Sequence, residues 1–228
     1  MRVLITAGAT RNKVDAIRYL SANATGTTGV DLACQIYEQG HIGDTATRKI
    51  FMLGSAEACL RLKLATKDVR WTVALVEEFF GTRDLMERMR LNVPMADVII
   101  HSAAVGDYEM AQGVPGKIPS GTPEISLKLT PTPKILDQIR GWNPTCFLVS
   151  FKAAPPETSP EDLVKIARAQ LERTGSNLVF ANVIGATEEV ALVARDSHTR
   201  YPREAAIKAV AEAVKAHRCE VQWPLTTG

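Results

Sequence analysis

Short uninterrupted apolar runs recur along the chain, with helical patterns between them. Val3-Leu4-Ile5 runs into Thr6-Ala7-Gly8, which predicts a buried strand entering a turn. After Gly26 and Gly29, apolar residues fall at Val30, Ala33, Ile36 and Tyr37, a helical spacing with Gly40 as its stop. Ile50-Phe51-Met52-Leu53, Trp71 to Val76 and Val98-Ile99-Ile100 read as further strands, and Thr82 to Asn92 as a helix between the last two. Ile125 to Leu129 alternates like a half-exposed strand, and Phe147 to Phe151 is apolar again. A helix over 160–173 has Ser159 as N-cap and Gly175 as stop. Leu178 to Asn182 and Val190 to Ala194 read as strands, and 203–217 as a last helix with Ala206, Ile207, Val210 and Val214 on one face.

Apolar runs without alternation imply strands buried on both faces, and their alternation with helices implies a mainly parallel sheet. The expected class is therefore α/β: a Rossmann-like, doubly wound, mainly parallel sheet. In such folds ligands lie beyond the carboxyl ends of the strands. That rule singles out the segments from Gly8, His101, Phe151 and Asn182 onward. The Pro- and Gly-rich stretch over 112–123 reads as an excursion from one domain spanning 1–228.

Composition narrows the class. The chain has 228 residues, 46% of them hydrophobic and 23% charged, with 15 Gly and 12 Pro. That suits a globular core and argues against disorder. A net charge of +2 supplies no field to recruit nucleic acid or anionic lipid. No apolar run is long enough to span a membrane, and the N-terminus lacks a signal-peptide core. Cys34, Cys59, Cys146 and Cys219 form no Cys-x-x-Cys pair, and the four histidines show no metal-ligand spacing. A reduced, cytoplasmic protein with no direct protein ligand for a metal is the expectation.

Four groups of residues carry candidate chemistry. Thr6-Ala7-Gly8-Ala9-Thr10 lacks the second glycine of the dinucleotide fingerprint. Its glycine serves either a tight turn or a loop approaching phosphate. Gly26-Thr27-Thr28-Gly29 before a helix suits an anion, because exposed N–H groups gather at a helix start. Arg11, Asp15 and Arg18 lie between these glycines, either as an acid-binding cluster or as solvated charges. His101-Ser102-Ala103-Ala104-Val105-Gly106-Asp107 places small residues and a carboxylate at a strand mouth. Lys117, within Gly116 to Gly121, is either a solvated lysine or one that closes over phosphates on a mobile loop.

In this order the pieces resemble the phosphopantothenate–cysteine ligase family over about residues 2–215. The carriers are Val3 to Thr10, then Asp15-x-x-Arg18-Tyr19-Leu20-Ser21 and Thr25-Gly26-x-x-Gly29. Ala103 to Tyr108 is similar to the family's "AAVADY" segment, and Lys117-Ile118 to its "KIKK". Thr132-Pro133-Lys134-Ile135-Leu136, Ser150-Phe151-Lys152 and Ala181-Asn182 also match. The resemblance implies a stand-alone ligase without a decarboxylase domain, and a flap and dimer contacts within about 109–129. The reaction it implies transfers a nucleotide from ATP or CTP, with Mg²⁺, to the carboxylate of 4′-phosphopantothenate. Cysteine then attacks the acyl-nucleotide. A homodimer is implied.

Carried over, Lys117, Asn23 and Asp107 are the catalytic candidates. Gly8, His101, Ser102, Ala103, Asp107, Lys117, Pro133, Lys134, Ile135, Leu136 and Phe151 are the nucleotide-binding ones. Arg18, Gly26, Gly29 and Ala104 are the substrate and phosphate ones. The chain departs from the pattern at Ala22, where the family has an asparagine; Asn23 comes next. Ala9 replaces a glycine, and Gln170 and Thr174 stand where bacterial members have lysines, which leans the nucleotide towards ATP. Two other readings remain: a non-catalytic nucleotide-binding relative, or a Rossmann-type oxidoreductase.

Overall fold

A computed structural model describes residues 1–39, 49–66, 74–121 and 124–221. In chain order the strands and helices are β1 (Arg2–Ala7), β2 (Arg11–Lys13), β3 (Tyr19–Ser21), α1 (Thr27–Glu38), β4 (Lys49–Gly54), α2 (Ala56–Ala65), β5 (Ala74–Glu78) and α3 (Thr82–Asn92). Then follow β6 (Val98–His101), β7 (Tyr108–Met110), β8 (Leu129–Pro131), α4 (Ile135–Trp142), β9 (Phe147–Ala154), α5 (Pro160–Thr174), β10 (Leu178–Val183), β11 (Ala186–Val193), β12 (His198–Pro202) and α6 (Arg203–Val221).

Eight strands form one sheet in the order β12-β11-β10-β9-β6-β1-β4-β5. The ladder is parallel from β5 to β10, and β11 and β12 close it in antiparallel fashion. The expected Rossmann-like sheet is present. Its apolar runs have a direct cause. Val3, Ile5 and Ala7 of β1 pack with Val98 and Ile100 of β6 beneath α1 and α6. Leu4 and Ile99 point the other way, with Leu148, onto Leu85 and Met89 of α3 and Ile139 of α4. A third cluster seats Leu163, Ala167 and Leu171 of α5 on Val179 and Ala181 of β10. Both faces are covered, so alternation has no solvent side to show. Full burial of one such Leu or Ile contributes about 1.5–3 kcal/mol.

The limits expected for α5 hold. Ser159 Oγ accepts from the Asp162 N–H at 3.1 Å, and Gly175 ends the helix at φ 63°. Other expectations change. Residues 124–128 form no strand; β8 begins at Leu129 and pairs only with the three residues of β7. The strand expected from Trp71 is described only from Ala74, and 71–73 and the Gly40 stop lie outside the described residues. Among described elements, α2, α4, β2, β3, β7 and β12 were not anticipated. Helix α2 hides because Leu60 and Leu64 face solvent while Ala58 and Leu62 are buried, which blurs its stripe.

Candidate functional site

The carboxyl end of β1 is a glycine corner. Gly8 and Gly26 both have positive φ, 88° and 82°, where side chains are strained. A Cβ on Gly26 would lie 2.8 Å from the Gly8 nitrogen, and one on Gly29 would lie 2.6 Å from Ser102 Oγ and 2.7 Å from Ala7 Cβ. Only glycine lets the start of α1 settle this closely onto β1 and β6. The first intrahelical bond runs from the Val30 N–H to the Gly26 carbonyl. The amides of Thr27, Thr28 and Gly29 therefore have no helical acceptor, an arrangement suited to an anion.

Ser102 and Ala103 are locked against this corner. Ser102 Oγ donates to the Thr6 carbonyl at 2.6 Å, and the Ala103 N–H donates to Thr6 Oγ1 at 3.1 Å. Ala104 donates to the Gly8 carbonyl and accepts from the Thr10 N–H, so both its peptide groups already pair with β1's extension. The His101 ring is buried, with Nδ1 2.8 Å from the same Thr6 Oγ1. Burial disfavours the imidazolium and pushes its pKa down to about 4.

A small cleft opens beside the corner. Its volume is about 180 Å³, and Ala9, Arg11, Ser21, Ala22, Asn23 and Ser55 are among its lining. The Arg11 guanidinium lies over the Tyr19 ring at 5.1 Å. Ala22 and Asn23 both line this cleft, and Asn23 is exposed.

The strand mouth beyond Ala104 is built on threonines. Thr10 Oγ1 accepts from the Gly106 N–H at 2.8 Å and from Thr82 Oγ1 at 3.1 Å, while Thr132 Oγ1 donates to the Gly106 carbonyl at 2.7 Å. Asn12 caps α3 from another element: its Oδ1 accepts from the Thr82 N–H at 2.9 Å. On this scaffold Asp107 and Lys134 form an exposed ion pair at 2.6 Å. Pro133 and Lys134 lead into α4, but Ile135 is buried in the core and Leu136 packs against it. Leu136 remains half-buried at the start of α4.

Phe151 stacks on Phe180 with centroids 4.8 Å apart. Arg203, at the start of α6, lies over Phe180 and donates to Thr28 Oγ1 in the first turn of α1. Arg203 thus links Phe180 of β10 to the first turn of α1; no motif marked it. Gln170 and Thr174 are buried. Gln170 Nε2 donates to Ser150 Oγ at 3.0 Å, and Thr174 Oγ1 pairs with Ser176 Oγ at 2.7 Å.

Lys117 is exposed, yet its loop is tethered. The Ala16 N–H donates to the Gly116 carbonyl at 2.9 Å, and the Ile118 N–H donates to Asp15 Oδ2 at 3.0 Å. Arg18 is paired with Asp15, so its guanidinium is partly committed within the protein. Burial opposes ionisation of Asp15, but the backbone N–H donors of Ile17, Ile118 and Arg18, with the Arg18 side chain, hold it well below the usual carboxylate range.

Known proteins carry the same framework. The chain is 36% identical over 208 residues to the coenzyme A biosynthesis bifunctional protein CoaBC of Thermococcus kodakarensis, covering 89% of this chain and 47% of that protein. It spans about half the length of that relative. It is 35% identical over 98 residues to phosphopantothenate–cysteine ligase 2 of Oryza sativa, covering 40% of this chain and 28% of that one. The fold superposes on the DNA/pantothenate metabolism flavoprotein of Streptococcus pneumoniae with a TM-score of 0.80 at 23% identity, covering 95% and 99% of the two chains. A Cab2 mutant in complex with phosphopantothenate-cysteine superposes with a TM-score of 0.75 at 19% identity, covering 97% and 89%. Residues 1–220 match the family described as DNA/pantothenate metabolism flavoprotein C-terminal domain, and the chain belongs to that family.

Proposed function

We propose that this chain is a phosphopantothenate–cysteine ligase of coenzyme A biosynthesis, acting as one cytoplasmic domain over 1–228. The observation that carries the reading is the glycine corner, where unpaired α1 amides meet Ser102 beside a cleft lined by Asn23. The names of the CoaBC and ligase relatives support it.

The first step is attack of the 4′-phosphopantothenate carboxylate on the α-phosphorus of a Mg-nucleotide. The new carboxyl oxygen–phosphorus bond displaces pyrophosphate. The cysteine amine then attacks the acyl carbon, and nucleoside monophosphate leaves. Gly8, Gly26, Gly29 and the α1 amides hold phosphates. Lys117 offsets charge developing on them. Asn23 donates its amide to the acyl group. Asp107, with Lys134, orients the nucleotide at the strand mouth, and Phe151 borders it. Mg²⁺ enters with the nucleotide as part of the substrate. ATP is the nucleotide in this reading, because Gln170 and Thr174 stand where bacterial members have lysines. Ile125, Leu127 and Leu129, exposed on the flap, support a homodimer formed there.

Pyrophosphate release from Mg-ATP and 4′-phosphopantothenate tests the reading, with cysteine required only for final product. Lys117→Gln should slow that release about 100-fold. A preformed acyl-nucleotide should restore product formation. Wild-type release by the variant would remove Lys117 from the site. A non-catalytic relative is the second reading, favoured by Ala22 in the cleft. It predicts a thermal shift with Mg-ATP but no pyrophosphate.

A further inference from the structure

The turn between β2 and β3 is exposed at Ala16, Ile17 and Arg18, yet the Asp15 side chain within it is fully buried. Its two oxygens face different parts of the molecule. Oδ1 closes the turn, accepting from the N–H groups of Ile17 at 2.9 Å and Arg18 at 2.8 Å. Oδ2 accepts from Arg18 Nη1 and from the Ile118 N–H at 3.0 Å, the latter from a residue 103 positions away. The same turn donates from the Ala16 N–H to the Gly116 carbonyl at 2.9 Å, and Arg18 Nη1 reaches the Ile118 carbonyl at 3.3 Å. Lys117 is thus gripped at the residues on both sides of it. The surrounding loop has little packing of its own: Gly113, Gly116 and Gly121 have no neighbour that a Cβ would touch. A lysine on such a loop has a defined reach only where its backbone is held.

We propose that Asp15 is a positioning residue for nucleotide transfer, fixing the backbone around Lys117 so that the ammonium meets the phosphates of bound nucleotide. The proposal rests on the ligase reading of Lys117. Asp15 itself touches neither substrate nor reacting atoms. A catalytic group displaced by about 1 Å commonly loses about 100-fold in rate, so the anchor has measurable leverage.

The experiment compares Asp15→Asn, Lys117→Gln and the double variant in the pyrophosphate-release assay with Mg-ATP. Asn keeps the size of the side chain and an acceptor for the turn, but its amide nitrogen cannot accept from Ile118. The single Asp15→Asn variant should lose about 30- to 100-fold in kcat, on the order expected for misplacement, with KM for nucleotide little changed. The double variant should be no slower than Lys117→Gln alone, because one effect acts through the other. A merely structural role would multiply the two losses and move KM as well. Independently of turnover, NMR amide exchange at Ile118 without substrate should accelerate in Asp15→Asn. Ile118→Pro, which deletes the flap donor and leaves Asp15 intact, should show the same kcat loss even if Asp15→Asn does not fold. Unchanged exchange at Ile118, or multiplicative losses, would overturn the proposal. A wild-type protein that releases no pyrophosphate would overturn the ligase reading instead, while the exchange measurement would still decide whether Asp15 anchors the loop.

Discussion

Gly29→Ala is the most direct test of the glycine corner. Gly29 lies in the first turn of α1, and at a free helical position alanine would be favoured by about 1 kcal/mol. Here the new Cβ would stand 2.6 Å from Ser102 Oγ and 2.7 Å from Ala7 Cβ. Neither neighbour recedes easily. Ala7 is fully buried in β1, which is hydrogen-bonded on both edges to β4 and β6. Ser102 Oγ is held by the Thr6 carbonyl. Overpacking of this kind costs about 1–3 kcal/mol, and two contacts below 3.0 Å put it towards the upper end. The net expectation is a loss of about 1–2 kcal/mol after the helix preference is offset. For a chain of this size each kcal/mol moves Tm by about 2–4 °C, so Tm should fall by about 2–8 °C. The assay is thermal unfolding without nucleotide, with Gly113→Ala as control, since a Cβ at Gly113 meets nothing. The rise in Tm on adding Mg-ATP should also shrink, because the displaced helix carries the phosphate-facing amides. A Gly29→Ala protein that melts at or above the wild-type temperature would refute the claim that close approach is what the glycine supplies.

His101 makes stability pH-dependent. Its folded pKa is about 4 against the ordinary histidine value of 6.5, so the unfolded chain binds more protons between those values. Stability from this group should fall as pH drops through that window, by about 3 kcal/mol in all. His101→Asn removes the titrating ring, and the difference between the two proteins' urea midpoints should narrow on going from neutral pH to about pH 4. A difference independent of pH would contradict the buried neutral ring. Asn23→Ala should slow formation of the cysteine adduct about 100-fold, as for loss of one donor to the charge that develops on the acyl oxygen during amine attack, with pyrophosphate release less affected. Its Tm should stay close to wild type, because Asn23 is exposed. A large Tm change with unaltered turnover would make Asn23 a structural residue.

The sheet was legible because burial on both faces leaves a local mark. Val3 to Ile5 and Val98 to Ile100 are continuous apolar runs since alternate residues serve two helical layers. Ser159 and Gly175 were legible because a cap and a left-handed stop are properties of one or two residues. Gly8 and Gly26 stood out for the same reason: backbone conformation is written in residue type. The sequence could not say which way a side chain points or what meets it. His101 ends β6 and Ile135 begins α4, and both side chains are buried. The strand expected at 125–129 has the right alternation, yet only Leu129 of it joins a ladder, opposite Met110 of β7. The remaining contacts depend on distant partners. Asn12 caps a helix 70 residues away, Asp15 holds a loop 103 residues away, and Arg203 reaches Thr28 across 175 residues. Local chemistry therefore determined the class of fold and the glycines of the candidate site. Which groups are brought together, and which are already occupied, was decided only when the folded sheet set its carboxyl ends side by side.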